Sequence, residues 1–137
     1  MAKIAIIEDS VGDIFGLLEV LKGEGHQVLA LVPCLPSLRR LTGKEGDDFK
    51  FVESVEEIVS LVSEFGPDMV LLDHSLDMPY KGDDVAYKLR IEREKLIGTS
   101  SSFTQAYCGK KFGAKSHLGH RDFARAALLE VVGSYVP

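Results

Sequence analysis

The chain has 137 residues, of which 45% are hydrophobic and 27% charged, a composition typical of folded globular proteins rather than of disordered chains. Its formal net charge of −5, with Lys and Arg scattered along the chain, argues against the clustered positive face that nucleic-acid binding requires. No apolar stretch reaches the roughly 18 residues of a membrane span, and the first residues begin a strand rather than a signal peptide, so we expect a cytoplasmic protein forming a single domain over residues 1–137.

Short apolar runs and amphipathic stretches follow one another from the N-terminus. Residues 3–7 predict a buried strand, and apolar positions recurring every three and four residues predict a helix over 11–22. Residues 28–32 predict a second buried strand, which Pro33 ends. The apolar face of the predicted helix comprises Val11, Ile14, Phe15, Leu18 and Leu21.

The segment 33–52, after the second predicted strand, has a less regular pattern. Its piece 35–41 fits a turn or two of helix, and the alternation within 49–52 predicts a short extra strand. Directly afterwards, Ser54 and Glu57 have the spacing of a capping box, which predicts the start of the next helix.

The second half of the chain continues the alternation. Further strands are predicted at 69–72, 96–99 and, more weakly, 113–118. One further helix is predicted from about residue 83 and another over 104–112. A last helix is predicted near the end of the chain, where Ala124, Ala127, Leu128 and Val131 recur at helical spacing. Strands that alternate strictly with helices predict an α/β fold, a doubly wound five-stranded parallel sheet with helices on both faces. In such sheets ligands bind outside the carboxyl ends of the strands.

Acidic residues follow two of the predicted strands. Glu8 and Asp9 come directly after the first strand, and Asp73 closes the apolar run 69–72. If these strands are neighbours, three negative charges meet at one edge and repel one another unless a cation lies among them. Mg2+ is the natural occupant, and an aspartate beside it is a candidate phosphoryl acceptor. Glu8 and Asp9 can also be explained without a metal, because acids favour helix N-termini.

This pattern resembles the CheY-like receiver domain of two-component response regulators. The matching pieces are residues 3–10, 67–73, 97–101 and the pair Gly113-Ala114, which together extend over essentially the whole chain. The resemblance implies that Asp73 accepts a phosphoryl group from a histidine kinase or phosphotransfer protein. It also implies that Glu8, Asp9 and Asp73 bind Mg2+ and that the Ser100 hydroxyl contacts the phosphoryl oxygens, although Thr99, Ser101 and Ser102 compete for that role.

The implied function is that of a stand-alone receiver that signals by contact with a downstream protein. It would be no enzyme beyond Mg2+-dependent self-phosphorylation and self-dephosphorylation. Members of the family often pair through the fourth helix, the fifth strand and the fifth helix, so the resemblance leaves a homodimer as an open alternative. Neither nucleic acid nor membrane is expected as a partner.

The chain departs from the family pattern at its fifth strand. The family places there a lysine that pairs with the phosphoryl group; counted from Gly113-Ala114, that position is His120, followed by Arg121. His120 is either a surface histidine or a pH-sensitive cation in place of the lysine. A shift in alignment would bring Lys115 or Arg121 to the pocket instead. The loop after Asp73 also differs, since Asp77 occupies the usual proline position. Relative to the family, the segment 33–52 is an insertion after the second strand, either a partner surface or filler.

Two alternative functions remain open, the first because of the missing lysine and the second because of the position of Asp73 after an apolar run. A degenerate receiver would keep the fold and act as a protein-interaction module that does not depend on phosphorylation. A small Mg2+-dependent phosphatase of the haloacid dehalogenase-like family would also use an aspartate after an apolar strand. That family requires a second acid two residues later, where this chain has Ser75.

Overall fold

The computed structural model of the protein describes residues 2–9, 11–34, 46, 48–73, 76, 78–100, 116–119 and 133. Its strands are β1 (Lys3–Ile7), β2 (Gln27–Pro33), β3 (Phe49–Val52), β4 (Met69–Asp73), β5 (Leu96–Ser100) and β6 (Ser116–Gly119). Its α-helices are α1 (Val11–Gly23), α2 (Val55–Phe65) and α3 (Gly82–Leu89), and a 3-10 turn, Arg93–Lys95, leads into β5.

The strands form one parallel sheet in the order β3-β2-β1-β4-β5-β6. The chain begins in β1, adds β2 and β3 on one side, and then returns through α2 to β4 on the other side of β1. This confirms the predicted doubly wound α/β fold, in which parallel neighbours are joined by crossover connections. The direction of winding reverses at β1, so a ligand site is expected where β1 and β4 end.

Both faces of the sheet are buried. Ile4 and Ile6 of β1 belong to a hydrophobic cluster that includes α1, whereas Ala5 and Ile7 belong to a second cluster that includes α2 and α3. Successive side chains of a strand point to opposite faces, so a strand covered on both sides must be apolar throughout. Burial of each such Leu or Ile contributes about 1.5–3 kcal/mol.

Helix α1 buries a face that differs from the predicted one. The prediction was wrong at Phe15, which is 57% exposed, and it left out Leu17, which is fully buried. The Phe15 ring instead stacks on Phe49 of β3, with ring centroids 5.4 Å apart. A residue of the predicted insertion therefore supplies the hydrophobic partner of Phe15. Among the side chains of α1 that the structure describes, the buried ones are Ile14, Leu17, Leu18 and Leu21.

The insertion adds a sixth strand to the five that were predicted for the sheet. β3 pairs with β2 from Ala30↔Phe49 to Pro33↔Val52, which confirms the extra strand predicted at 49–52. Directly before β3, Asp48 forms an ion pair with Lys22 at the end of α1. At this edge of the sheet β3, the described end of the insertion, is therefore part of the hydrophobic core.

Helix α2 begins at the capping box that its sequence predicts. The Ser54 hydroxyl accepts a hydrogen bond from the N–H of Glu57 at 3.1 Å, and the Glu57 carboxylate accepts one from the N–H of Glu53 at 2.7 Å. Gly66 ends the helix with a left-handed φ of 65°, and its N–H donates to the carbonyl of Val62. Polar groups at both helix ends are thus satisfied locally.

Several predicted elements lie outside the described residues: the pieces 35–41 and 104–112 and, apart from Gly133, the C-terminal helix. β6 begins at Ser116, three residues after the predicted start of the fifth strand. Among the residues that the structure describes, no helix is long and apolar enough to span a bilayer. The single domain expected over residues 1–137 stays a prediction.

Candidate functional site

Three buried polar side chains form a row across the carboxyl ends of β1, β4 and β5. Asp73 is the register partner of Thr99. Glu8 and Asp73 each follow directly after a paired residue, since Ile7 is the register partner of Leu72. Register partners in neighbouring strands project to the same face of a sheet. Glu8 and Asp73 are each 1% exposed and Thr99 is 2% exposed. We call Glu8, Asp73 and Thr99 the polar row.

The sheet itself fixes the acids of the polar row. The N–H of Glu8 donates to the carbonyl of Leu31 at 3.2 Å, so the backbone pairing of β1 with β2 continues through this residue. Asp73 is the last residue of β4 and is paired with β5. Side chains held by strand backbone are positioned more accurately than side chains on loops. This rigidity suits a site whose chemistry depends on placement.

Asp9 joins the two buried acids in a cluster of carboxylates. One oxygen from each of Glu8, Asp9 and Asp73 can be chosen so that all lie within 4.8 Å of one another. Asp9 is only partly buried, so the cluster is accessible to solvent on that side. Burial of like charges this close together costs free energy unless a cation or protons compensate for them.

The donor set fits a hard divalent cation such as Mg2+. Carboxylate oxygens bind Mg2+ at about 2.0–2.1 Å, so two oxygens on one ion lie up to about 4.2 Å apart. The limit of 4.8 Å found here is only slightly larger. Mg2+ keeps several water ligands, which the open side next to Asp9 can accommodate. The structure thus brings together all three residues that were predicted as metal ligands.

The loop between β4 and α3 is fastened to the molecule at several points. Leu76 and Met78 are buried in the cluster that includes α2 and α3. The ammonium group of Lys81 donates to the carbonyl of Leu76 at 2.7 Å, and the N–H of Lys81 donates to the carboxylate of Asp84 at 2.8 Å. The segment that leaves Asp73 is therefore attached through both its apolar side chains and its last residue.

Tyr80 of the same loop carries no charge at physiological pH. Burial, followed by the negative charges of Glu57 and Glu56, raises the pKa of the Tyr80 phenol to about 12. Its side chain packs against the cluster that includes α2 and α3. Tyr80 thus acts as a neutral, partly apolar anchor for the loop.

Thr99 is the residue of the polar row that the sequence analysis did not select. Ser100, which was selected, is the last residue of β5 and is paired with Gly119 rather than with Asp73. The role of Ser100 stays a prediction. The remaining positions singled out in the sequence lie outside the described residues: His120, Arg121, Lys115, Gly113, Ala114, Asp77, Ser75, Ser101 and Ser102.

Of the three comparisons with known proteins, the one with solved structures gives matches. No family model matches the sequence. No curated protein matches it either.

The matching structures include receiver domains of response regulators. The chemotaxis protein CheY4 of Vibrio cholerae superimposes with a TM-score of 0.70 at 14% identity, over 99% of each chain. The BeF3-activated N-terminal receiver domain of Klebsiella pneumoniae RstA gives 0.68 at 15% identity, over 97% of each chain. A putative response regulator from Chloroflexus aurantiacus gives 0.68 at 18% identity, over 98% of this chain and 96% of the other. The chain therefore has the fold of the CheY-like receiver domains.

Proposed function

We propose that this protein is a response-regulator receiver whose Asp73 accepts a phosphoryl group. The observation that carries the proposal is the carboxylate cluster. Asp73 shares a 4.8 Å cluster with Glu8 and Asp9, at the sheet edge where doubly wound folds bind ligands. A buried aspartate beside a candidate Mg2+ site has the chemistry of a phosphoryl acceptor, and the receiver fold supports the same reading.

The transfer assigns a separate task to each residue. A carboxylate oxygen of Asp73 attacks the phosphorus of the donor, and the bond from phosphorus to the donor's leaving group breaks, with its electron pair departing on that group. Glu8 and Asp9, with Asp73, would hold Mg2+, which supplies positive charge for the phosphoryl oxygens when bound. A hydroxyl from Thr99 or Ser100 would donate a hydrogen bond to one of these oxygens.

The proposal extends to partners. The physiological donor would be a histidine kinase or a phosphotransfer protein, and a downstream protein would read the phosphorylated surface. Phosphorylation changes the charge at the sheet edge and can shift a two-state equilibrium of the neighbouring loops. Self-phosphorylation and self-dephosphorylation would be its only reactions, in the cytoplasm.

The test is phosphorylation by a small donor. The protein is incubated with Mg2+ and acetyl phosphate, and its intact mass is measured with and without a chelator. We expect one phosphoryl adduct that requires Mg2+ and is absent from Asp73→Asn. The matched control is Asp68→Asn, which alters the acid one residue before β4, at the opposite edge of the sheet. This control should still take up one phosphoryl group.

Two other results would point elsewhere. A folded protein that binds Mg2+ but gains no adduct would contradict the proposal and favour an interaction module that works without phosphorylation. Sustained turnover of a phosphate ester, rather than one adduct per chain, would indicate a phosphatase.

A further inference from the structure

Among the described Lys and Arg residues, Lys81 is the one that lies next to β4 at the sheet edge of the polar row. Helix α3 leads from the end of β4 back towards the start of β5, so Lys81, directly before α3, lies at the carboxyl edge. Lys50 lies in β3, three strands away from β4. The other Lys and Arg residues in the described ranges lie at or near the opposite edge; they are Lys3, Lys22, Lys88, Arg90, Arg93 and Lys95.

The side chain of Lys81 is directed back into the loop that leaves Asp73. Its Nζ donates to the carbonyl of Leu76 at 2.7 Å, and Leu76 is 1% exposed. Leu76 follows Asp73 by three residues, so the two are separated by at most about 11 Å of extended chain. A lysine ammonium has three donors, and Leu76 occupies one of them. The remaining donors can serve a second acceptor.

The backbone of Lys81 is held as firmly as its side chain. The carboxylate of Asp84 accepts a hydrogen bond from the N–H of Lys81 at 2.8 Å, and the carbonyl of Lys81 accepts one from the N–H of Val85 at 3.2 Å. Lys81 is thereby fixed as the residue that begins α3. A cation placed in this way loses less conformational entropy when it binds an anion than a freely rotating lysine would.

The negative charges of the proposed site require a nearby cation in addition to the metal ion. A phosphoryl group carries about two negative charges and would lie among the carboxylates of Glu8 and Asp9. One divalent ion neutralises only part of this charge. Phosphoryl transfer depends on further positive groups placed around the phosphoryl oxygens.

We propose that Lys81 contacts the phosphoryl group on Asp73 and supplies the positive charge that balances it. This inference rests on the proposed function. During transfer from acetyl phosphate, a carboxylate oxygen of Asp73 forms the new bond to phosphorus while the bond from phosphorus to the acetate oxygen breaks, and acetate leaves with the electron pair. Lys81 exchanges no proton in this step; it stabilises the phosphoryl oxygens by charge and hydrogen bonding.

The test separates the charge of Lys81 from its bond to Leu76. Lys81→Gln removes the charge but keeps a side-chain donor for the Leu76 carbonyl, and Lys81→Arg keeps the charge. Lys88→Met is the matched control, because Lys88 is an exposed lysine in the last turn of the same helix. The initial rate of adduct formation is measured by intact mass with Mg2+ and acetyl phosphate. The rise in Tm on addition of Mg2+ and BeF3−, a mimic of the phosphoryl group, is a second readout.

We expect Lys81→Gln to phosphorylate at least tenfold more slowly than the unaltered protein and to lose most of the rise in Tm with BeF3−. Lys81→Arg should recover most of both, and Lys88→Met should change neither. If Lys81→Gln matches the unaltered protein while Asp73→Asn takes up no phosphoryl group, this inference is wrong and the proposed function stands. If the unaltered protein takes up none, both are wrong. Equal losses in the Gln and Arg variants would assign Lys81 a structural role and also overturn the inference.

Discussion

Thr99 is the register partner of Asp73, and its buried side chain projects to the same face of the sheet as the carboxylate that we propose as acceptor. Thr99→Val removes this hydroxyl at nearly constant volume. We expect phosphorylation by acetyl phosphate to slow by about tenfold or more, which corresponds to about 1.4 kcal/mol of transition-state stabilisation. Thr99→Ser, which retains a hydroxyl, should recover most of the rate. The measurement is the initial rate of adduct formation by intact mass.

Ser100→Ala provides the comparison for this prediction. The register places Ser100 beside Gly119, one step beyond the polar row, so we expect a smaller loss of rate than in Thr99→Val. A large loss in Ser100→Ala together with a normal rate in Thr99→Val would assign the hydroxyl to Ser100, as the resemblance implies, and would contradict the argument from register.

Asp9 is the most accessible acid of the carboxylate cluster. Without Mg2+, Asp9→Asn should raise Tm, because one of three mutually repelling charges is removed. With Mg2+ at ten times its Kd the unaltered protein should gain about 1.4 kcal/mol in its free energy of unfolding, whereas the variant should gain much less. Thermal unfolding with and without Mg2+ measures both effects. Glu64→Gln, on an exposed position of α2, is the control; equal gains in all three proteins would place the ion elsewhere.

The residues of the candidate site differ in how well the sequence predicts them. Glu8, Asp9 and Asp73 were predicted because each follows an apolar run, and the ends of parallel strands meet at one edge of a sheet. Thr99 was not selected, since the run from Thr99 to Ser102 offers four hydroxyls in succession. Only the pairing of β5 with β4 distinguishes them, and that register is set by tertiary packing.

At the scale of the elements, two glycines in helical segments should respond in opposite ways to the same substitution. Gly66 ends α2 with a φ of 65°, which an L-residue with a Cβ adopts at a cost of about 1 kcal/mol. Gly16 lies inside α1 with open space around its missing Cβ, so an alanine there should stabilise the protein by about 0.5–1 kcal/mol. Denaturant unfolding of Gly66→Ala and Gly16→Ala measures both values. A gain in Gly66→Ala would show that α2 can end in another conformation.

The edge strand β3 is the element whose integration was hardest to predict. Its alternating sequence predicted a strand, but Phe15 was assigned to the wrong environment because its partner, Phe49, is distant in the chain. Hydrophobic periodicity within one helix contains no information about a contact of this kind. The same limit applies to the ion pair between Lys22 and Asp48, which joins α1 to the residue before β3.

Truncation of the two stacked rings should show that β3 belongs to the core. Phe49 is 6% exposed and also makes an edge-to-face contact with Phe51, so Phe49→Ala should cost about 3 kcal/mol or more in the free energy of unfolding. Phe15→Ala should cost about 1 kcal/mol, because its ring is 57% exposed. Equilibrium denaturation of both variants makes the comparison. Similar small costs would mean that β3 detaches without disturbing the sheet.

At the scale of the whole molecule, the two edges of the sheet have different tasks. The proposed chemistry is at the carboxyl edge, whereas hydrogen bonds at the amino edge tie the starts of the strands together. The N–H of Lys3 donates to the Asp68 carboxylate at 2.8 Å, and the N–H of Asp68 donates to the carbonyl of Lys3 at 2.7 Å. The N–H of Ala2 donates to Nδ1 of His26 at 3.0 Å. Changes at the amino edge should therefore alter stability without altering the chemistry of Asp73.

His26 makes this separation measurable through pH. Partial burial, followed by the positive charge of the N-terminus, lowers the pKa of His26 below its ordinary value of 6.5, while Glu24 opposes the shift. As the pH falls below about 6.5, the unfolded chain therefore binds the proton more readily than the folded chain, and the free energy of unfolding decreases. The protonated ring also has no acceptor for the N–H of Ala2.

The prediction is tested with His26→Gln, whose amide oxygen can still accept that hydrogen bond but does not titrate. Between pH 7.5 and 5 the variant should lose less stability in denaturant unfolding than the unaltered protein. The slope of the difference should stay well below the limit of about 1.4 kcal/mol per pH unit for one proton, since His26 is only partly buried. At constant pH, adduct formation on Asp73 should be equal in both proteins. A variant with the same pH dependence as the unaltered protein would show that His26 contributes nothing to it.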